Sequence, residues 1–438
     1  MKKGQRIGIS ISVGVCVFAV LTGIVTAGKK DNKKAVIDGL QDFFTISEES
    51  LVNNYLGISD FQESFYEKDM SVTGEFYTEV AGNTVKVGAE GVVDKSERLV
   101  STNVDIGLGG IPFAIVQGYS DDKYLYGTSE VFGDRILKLD YKENLYDLGA
   151  HAGIHRRNVM MAQKAYIEVF NHLVSTDPYE KWKDILENEM VKSSLLEIYD
   201  TMTVELQKSA ESEDGFSYYI QLKSSEVKEL LESLRQEFPH LKEQGYLEIL
   251  EKFVSEENGI EILEQINKDG KTEKVKIYNS DNGYEMIFQR TEKEKGGHNG
   301  FDSRLSIKLL HGKEVILDGE VTCSYNAEEK YLEVRGKEVQ NQIEVSLTGN
   351  VFIDQKNNEI SLEIQELTAV WKQRDITMNG KTEVTFGEYQ VTLPEGEAFS
   401  LLEKEEQELN QLGNDILKEI RGILGSEKYD QLLEKLGF

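Results

Sequence analysis

The chain has 438 residues, 78 acidic against 49 basic, and a formal net charge of −29. That balance argues against nucleic-acid binding, which needs a basic footprint, and fits a self-repelling surface able to attract cations or cationic partners. Of the two cysteines, Cys16 falls within the membrane span expected below and Cys323 far outside it, so no internal disulfide is available and stability must come from a sizeable core.

The leader MKKGQR (1–6) holds Lys2, Lys3 and Arg6, and is followed by an uncharged run from Ile7 to Ala27. About 20 residues of α-helix, rising about 1.5 Å each, cross a hydrocarbon core of about 30 Å. The run is expected to be a transmembrane anchor (7–27), with Ile7, Ile11, Val15, Phe18, Leu21 and Ile24 in contact with membrane lipid. Two other readings stay open. Val25 and Ala27 supply small residues for cleavage of an export signal. Cys16 would be a lipoprotein site, although Val15 stands where Gly, Ala or Ser is wanted. Lysines follow the run as well as precede it (Lys29, Lys30, Lys33, Lys34), so flank counting gives no orientation. A short cationic leader resists translocation, whereas long domains cross largely regardless of charge. The bulk of the chain is therefore expected outside a cell membrane, single-pass, with a cytoplasmic leader.

Residues 28–69 read as a juxtamembrane spacer and helix. Val36, Leu40, Phe43, Phe44, Leu51, Val52 and Tyr55 have helical spacing, broken near Thr45, with SEES starting a second helix. From Ser71 the period changes to two, and strands separated by AGN, DKSE, GGIP and SDDK form an antiparallel meander to about Tyr146. RRNVMMAQKAYIEVFNHLV places Val159, Ala162, Ala165, Ile167, Val169 and Leu173 on one helical stripe, and YEKWKDILENEM starts another helix after TDP. A hairpin around SEDG leads into a helix with Ser225 as N-cap, and LKEQGYLEILEKFV adds one more. A first β lobe with a helical insertion is thus expected over 70–258, and a second β lobe over 259–438. In the second, NKDGK, NSDNG, YNAEEK and QKNNE are turns between alternating strands. Its tail divides at Gly413 and Gly425 into amphipathic helices. The expected fold class is α+β: a transmembrane helix, then two strongly curved antiparallel sheets packed with helices.

FSYYIQLKSSEVKELLESL followed by KTEKVKIYNSDNGYEMIFQ resembles the pattern of LolA/LppX-like exported lipoproteins and of membrane-anchored extracytoplasmic proteins of Gram-positive bacteria. The resemblance covers the layout of about residues 40–395. It implies a curved sheet wrapped around helices, with an apolar cavity for lipid. This sequence departs from it in lacking a lipobox, and no binding residue carries over by position. The absence of N-x-Ser/Thr acceptors outside the leader also leans toward a bacterial origin.

His151 and His155 in HAGIH have the i, i+4 spacing of zinc ligands, with His172 downstream. Gly153 between them, Arg156 and Arg157 after them, and the lack of a glutamate at the HExxH position favour a polar turn instead. Gly107–Gly110 precedes a strand rather than a phosphate-binding helix N-terminus, so a turn or bulge is expected. Ser120, Asp121 and Asp122 lack the spaced carboxylates of a calcium loop, and Cys323 reads as a buried small hydrophobe. No metal or cofactor is called for. The aromatics concentrated around the first sheet are the better lead. Phe76, Tyr119, Tyr124 and Tyr126 could line a ligand cavity. The function expected is a membrane-anchored binding or scaffolding protein without catalysis, with an envelope protein as a partner. The alternatives are a carrier or sensor of an apolar, lipid-like ligand, and a cell-wall hydrolase built on His151 and His155.

Overall fold

The computed structural model describes residues 32–44, 50–80, 83–133, 135–151, 154–177, 185, 187–208, 216–238, 247, 251–254, 259–267, 269–340, 342–371, 374–426 and 429. The expected anchor, and with it Ile7, Ile11, Val15, Phe18, Leu21 and Ile24, lies outside the described residues. Among those described, no helix is long and apolar enough to cross a membrane.

The two separate sheets expected from the sequence are one sheet of eighteen strands. Strands β1 (Asp69–Val80), β2 (Asn83–Asp94), β3 (Leu99–Leu108), β4 (Ile111–Ser120), β5 (Tyr124–Ser129) and β6 (Ile136–Asp140) pair antiparallel in sequence order. The three-residue β18 (Ala398–Ser400) adds a parallel pairing to β6. Strand β1 also pairs along most of its length with β17 (Arg374–Gly387), Asp69 opposite Gly387 through to Thr78 opposite Met378. That pairing explains the correction. A meander leaves its first strand with unpaired backbone groups, and burying that edge against a strand about three hundred residues away satisfies them. Period-two patterning marks strands but not such remote partners.

A second run of antiparallel neighbours joins β7 (Thr203–Lys208), β8 (Phe216–Leu222), β9 (Ile260–Ile266), β10 (Thr272–Asn279), β11 (Tyr284–Glu294), β12 (Gly300–His311), β13 (Glu314–Asn326) and β14 (Tyr331–Glu338). The remaining strands are β15 (Ile343–Asp354) and β16 (Glu359–Trp371).

Contacts divide the chain into two interleaved units: the described residues of Met1–Ser59, Tyr179–Thr348 and Thr368–Asp375, and those of Asp60–Pro178, Gly349–Leu367 and Ile376–Phe438. In the first unit, α1 (Asn32–Phe44) buries Val36, Ile37, Leu40 and Phe43. They join a core with α6 (Glu189–Thr201), α7 (Ser224–Glu237) and apolar faces of β8 to β11. Helix α2 (Leu51–Leu56) starts at Ser50, whose hydroxyl accepts from Asn53 N–H, and ends at Gly57, φ 59°. The expected cap at Ser225 is not one. Lys223 holds the N-cap position of α7 without a side-chain bond, and the Ser225 hydroxyl donates to the Glu226 carboxylate.

In the second unit, α3 (Ile58–Glu67), whose residues from Asp60 on belong here, and α5 (Arg156–Val174) bring Phe61, Phe170 and Val174 to a core with Met70, Val93 and Phe386. The apolar stripe of α5 is shifted from the expected one. Val169 is 57% exposed, while Val159, Phe170 and Val174 are buried, because Tyr166 turns inward to donate to Ser120 Oγ at 2.6 Å and pack against Tyr141. Helix α8 (Glu406–Leu424) runs through Gly413, where a division was expected, and ends at Gly425 as expected; most of the chain beyond it lies outside the described residues. Cys323 is half-buried rather than buried, and its surroundings still push the thiol pKa up to about 11.

Candidate ligand groove

The tight turn between β4 and β5 starts the site. Asp121 Oδ1 accepts the backbone N–H groups of Lys123 and Tyr124 at 2.7 and 2.6 Å. This is an Asx-turn, the local reason SDDK reverses the chain, and Asp122 is meanwhile paired with Arg98 at 3.0 Å. The turn sends Tyr124 and Tyr126 out on one face of β5, since residues two apart share a face. Register then fixes their neighbours. Tyr124 stands opposite Asp140 and Tyr126 opposite Lys138, and Lys138 pairs on its other side with Ser400 of β18.

A cavity of about 920 Å³ opens over this ladder, within the roughly 300–1,000 Å³ usual for ligand sites. Its floor includes Tyr124, Tyr126, Lys138 and Asp140, and its sides come from the chain around Gly396, from α4 (Tyr146–His151) through Leu148 and from α8 through Leu409. The Lys138 ammonium lies 3.7 Å from the Tyr124 ring centroid and 5.7 Å from that of Tyr126. Attraction to the negative ring faces holds it there, and among the described residues it has no carboxylate partner. Lys123, by contrast, is paired with Asp140 at 3.3 Å. Its pKa is raised by hydrogen bonding to Tyr124 and then to Asp140. Lys404, also on the wall, is paired with Glu408 at 3.3 Å. Glu143 and Glu403 bring the charged residues of the wall to six, three basic and three acidic.

Of the four residues singled out for a cavity, Tyr124 and Tyr126 line it. Tyr119 stands opposite Tyr126 on β4 but outside the wall. Phe76 serves β1 itself: its ring lies over Gly74 and against Gly380, where added methyl groups would come within 2.7 and 3.0 Å of it. The sequence reading missed Lys138 and β18. A lysine alternating with leucines in RILKLD was a signal, but a three-residue strand from a distant segment gives none.

Residues 152 and 153 of HAGIH lie outside the described residues, and His172 packs beside Phe65 and Tyr66. Among the described residues, no three metal-ligating side chains converge. Gly109 and Gly110 have φ of 57° and 80°, and the β3–β4 register shifts between Ile106 and Gly107, so GLGG is a bulged hairpin turn. A comparison with models of protein families finds no match, and none of the curated proteins matches the sequence.

Proposed function

We propose that this chain is an extracytoplasmic binding protein, held to the outer face of a bilayer by residues 7–27, that takes a small anionic ligand in the groove on β5 and β6. The reading rests on Lys138, an ammonium on two tyrosine faces at the floor of a cavity of about 920 Å³. An incoming carboxylate or phosphate would gain charge-assisted hydrogen bonds from it without breaking an existing ion pair. The tyrosine rings and Leu148, Leu393 and Leu409 offer flat apolar surface for the body of the ligand. Glu143 and Glu403 weigh against the lipid implied by the layout resemblance, because stripping water from them against acyl chains would be costly.

Calorimetric titration of the full-length protein in detergent with a panel of sugar phosphates and short dicarboxylates tests this. Binding should appear for at least one anion, and Lys138→Ala should weaken it about tenfold or more, the worth of one charge-assisted bond. Absence of any anion binding, or binding indifferent to Lys138→Ala, contradicts the reading. Lipid that co-purifies and resists displacement by anions would favour the apolar-ligand carrier instead.

A further inference from the structure

Strand β9, IEILEQI, breaks its own pattern. Ile260 and Ile262 are buried on the core-facing side, and the next residue on that side is Glu264, whose relative exposure is 0%. Its Oε1 accepts from the Thr272 hydroxyl at 2.5 Å. Its Oε2 is buried and, among the described residues, lacks any hydrogen-bond partner. Directly above lies α1: a methyl group at Gly39 would fall 2.6 Å from Glu264 Oε1 and 3.2 Å from Thr272 Oγ1. Glycine at position 39 is therefore what lets the helix close over the carboxyl group. Beside Glu264 in the sheet stand Tyr218 on β8 and Val275 on β10.

A carboxylate ion in such a place is expensive, because water is excluded and, among the described residues, no cation compensates. Helix α1 carries Lys33, Lys34, Asp38 and Asp42, strand β10 carries Glu273, Lys274 and Lys276 after Lys271, and β9 itself carries Glu261. None of these acts on Glu264. Burial raises its pKa to about 7, and among the described residues the Thr272 hydroxyl is the only opposing influence.

We infer that α1 is a proton-gated latch: its docking on β9 and β10 is strongest while Glu264 is protonated, and ionisation of Glu264 favours its release from the sheet. When α1 lifts, the carboxyl group meets water and returns toward its ordinary pKa of 4.5. The docked state thus holds the proton more tightly than the open one. Docking is fully supported below about pH 4.5, that support is lost as pH rises toward 7, and the profile is flat above. The difference of about 2.5 pH units corresponds to an opening equilibrium about 300-fold larger at the alkaline plateau. Because α1 begins at Asn32, soon after the expected anchor, its release would lengthen the link between membrane and body.

Hydrogen exchange of the full-length protein in detergent, corrected for intrinsic pH dependence, reads the latch directly. The α1 amides should show opening that rises close to tenfold per unit between about pH 5 and 7 and then levels off, while β13 and β14 keep their protection. Glu264→Gln should abolish that slope. A pH-independent α1 in the wild type, or an unchanged slope in Glu264→Gln, overturns the inference. Should Glu264→Gln fail to fold, Thr272→Val serves in its place. Loss of the bond that holds the pKa down must move the plateau to higher pH, and an unmoved plateau is equally decisive against the latch.

Discussion

Lys95 illustrates how single side chains carry long-range order in this protein. It is 6% exposed, donates to the carbonyls of Phe65 and Ser175, and lies 4.6 Å from the Phe65 ring centroid. Those carbonyls lie in the last turn of α3 and just past the end of α5, where helix dipoles favour a cation. Burial pulls its pKa down to about 8, against the pull of Asp69. Lys95→Met keeps the apolar stem but leaves two carbonyls without their donor. It should lower stability by about 2 kcal/mol, seen as a reduced denaturant midpoint, and a midpoint within error of wild type would refute that role. Little of this could be read in DKSE, which signals a turn by composition alone. The same holds for Glu264, one more glutamate in a chain with 78 acidic residues. Its burial shows in sequence only as a missing apolar residue after Ile260 and Ile262. Tyr124 and Tyr126 were easier to find, because aromatic residues two apart after a turn signal announce both a strand and a shared face.

Helices α1 and α2 are fastened by alternate residues of β11, on the face that also carries the buried Met286 and Phe288. Arg290 donates to the carbonyls of Asp42 and Phe43 at the end of α1, at 3.3 and 3.1 Å. Glu292 accepts from Leu51 N–H at the start of α2 at 3.0 Å and is bonded to Arg290 at 2.6 Å. Glu294 accepts from Tyr55 Oη at 2.9 Å and pairs with His298 at 2.8 Å, which raises the histidine pKa. A cation thus meets a helix C-terminus and an anion a helix N-terminus, the arrangement the helix dipole rewards. Glu292→Gln should cost about 1 kcal/mol at low salt and less at high salt. Thermal unfolding at two ionic strengths checks this, and a cost that does not change with salt would mean packing rather than charge holds α2. Hairpins were the most readable elements. In NKDGK, Asn267 Oδ1 takes the N–H groups of Asp269 and Lys271, both at 3.0 Å, and asparagine before glycine states that turn openly. Helix phase was less readable on α5, where Tyr166 turned the buried stripe away from Val169.

Assembly of the chain follows rules that local patterning does not contain. Strands β15, β16 and β17 supply residues to both contact units, so the units interleave in sequence, and β1 finds its second neighbour in β17. Alternation identified the strands because each carries its own period. It could not identify a single sheet of eighteen, since partner choice depends on which edges remain open after the hairpins close. In the proposed arrangement this acidic body lies outside a bilayer, with the uncharged run from Ile7 to Ala27 as its tether. Protease treatment of intact cells followed by carbonate extraction of their membranes examines that placement directly. The full-length chain should remain in the carbonate-washed membrane pellet, and external protease should remove the body while sparing a membrane-embedded stub. Recovery of the intact chain in the soluble cytosolic fraction, shielded from external protease, would contradict it.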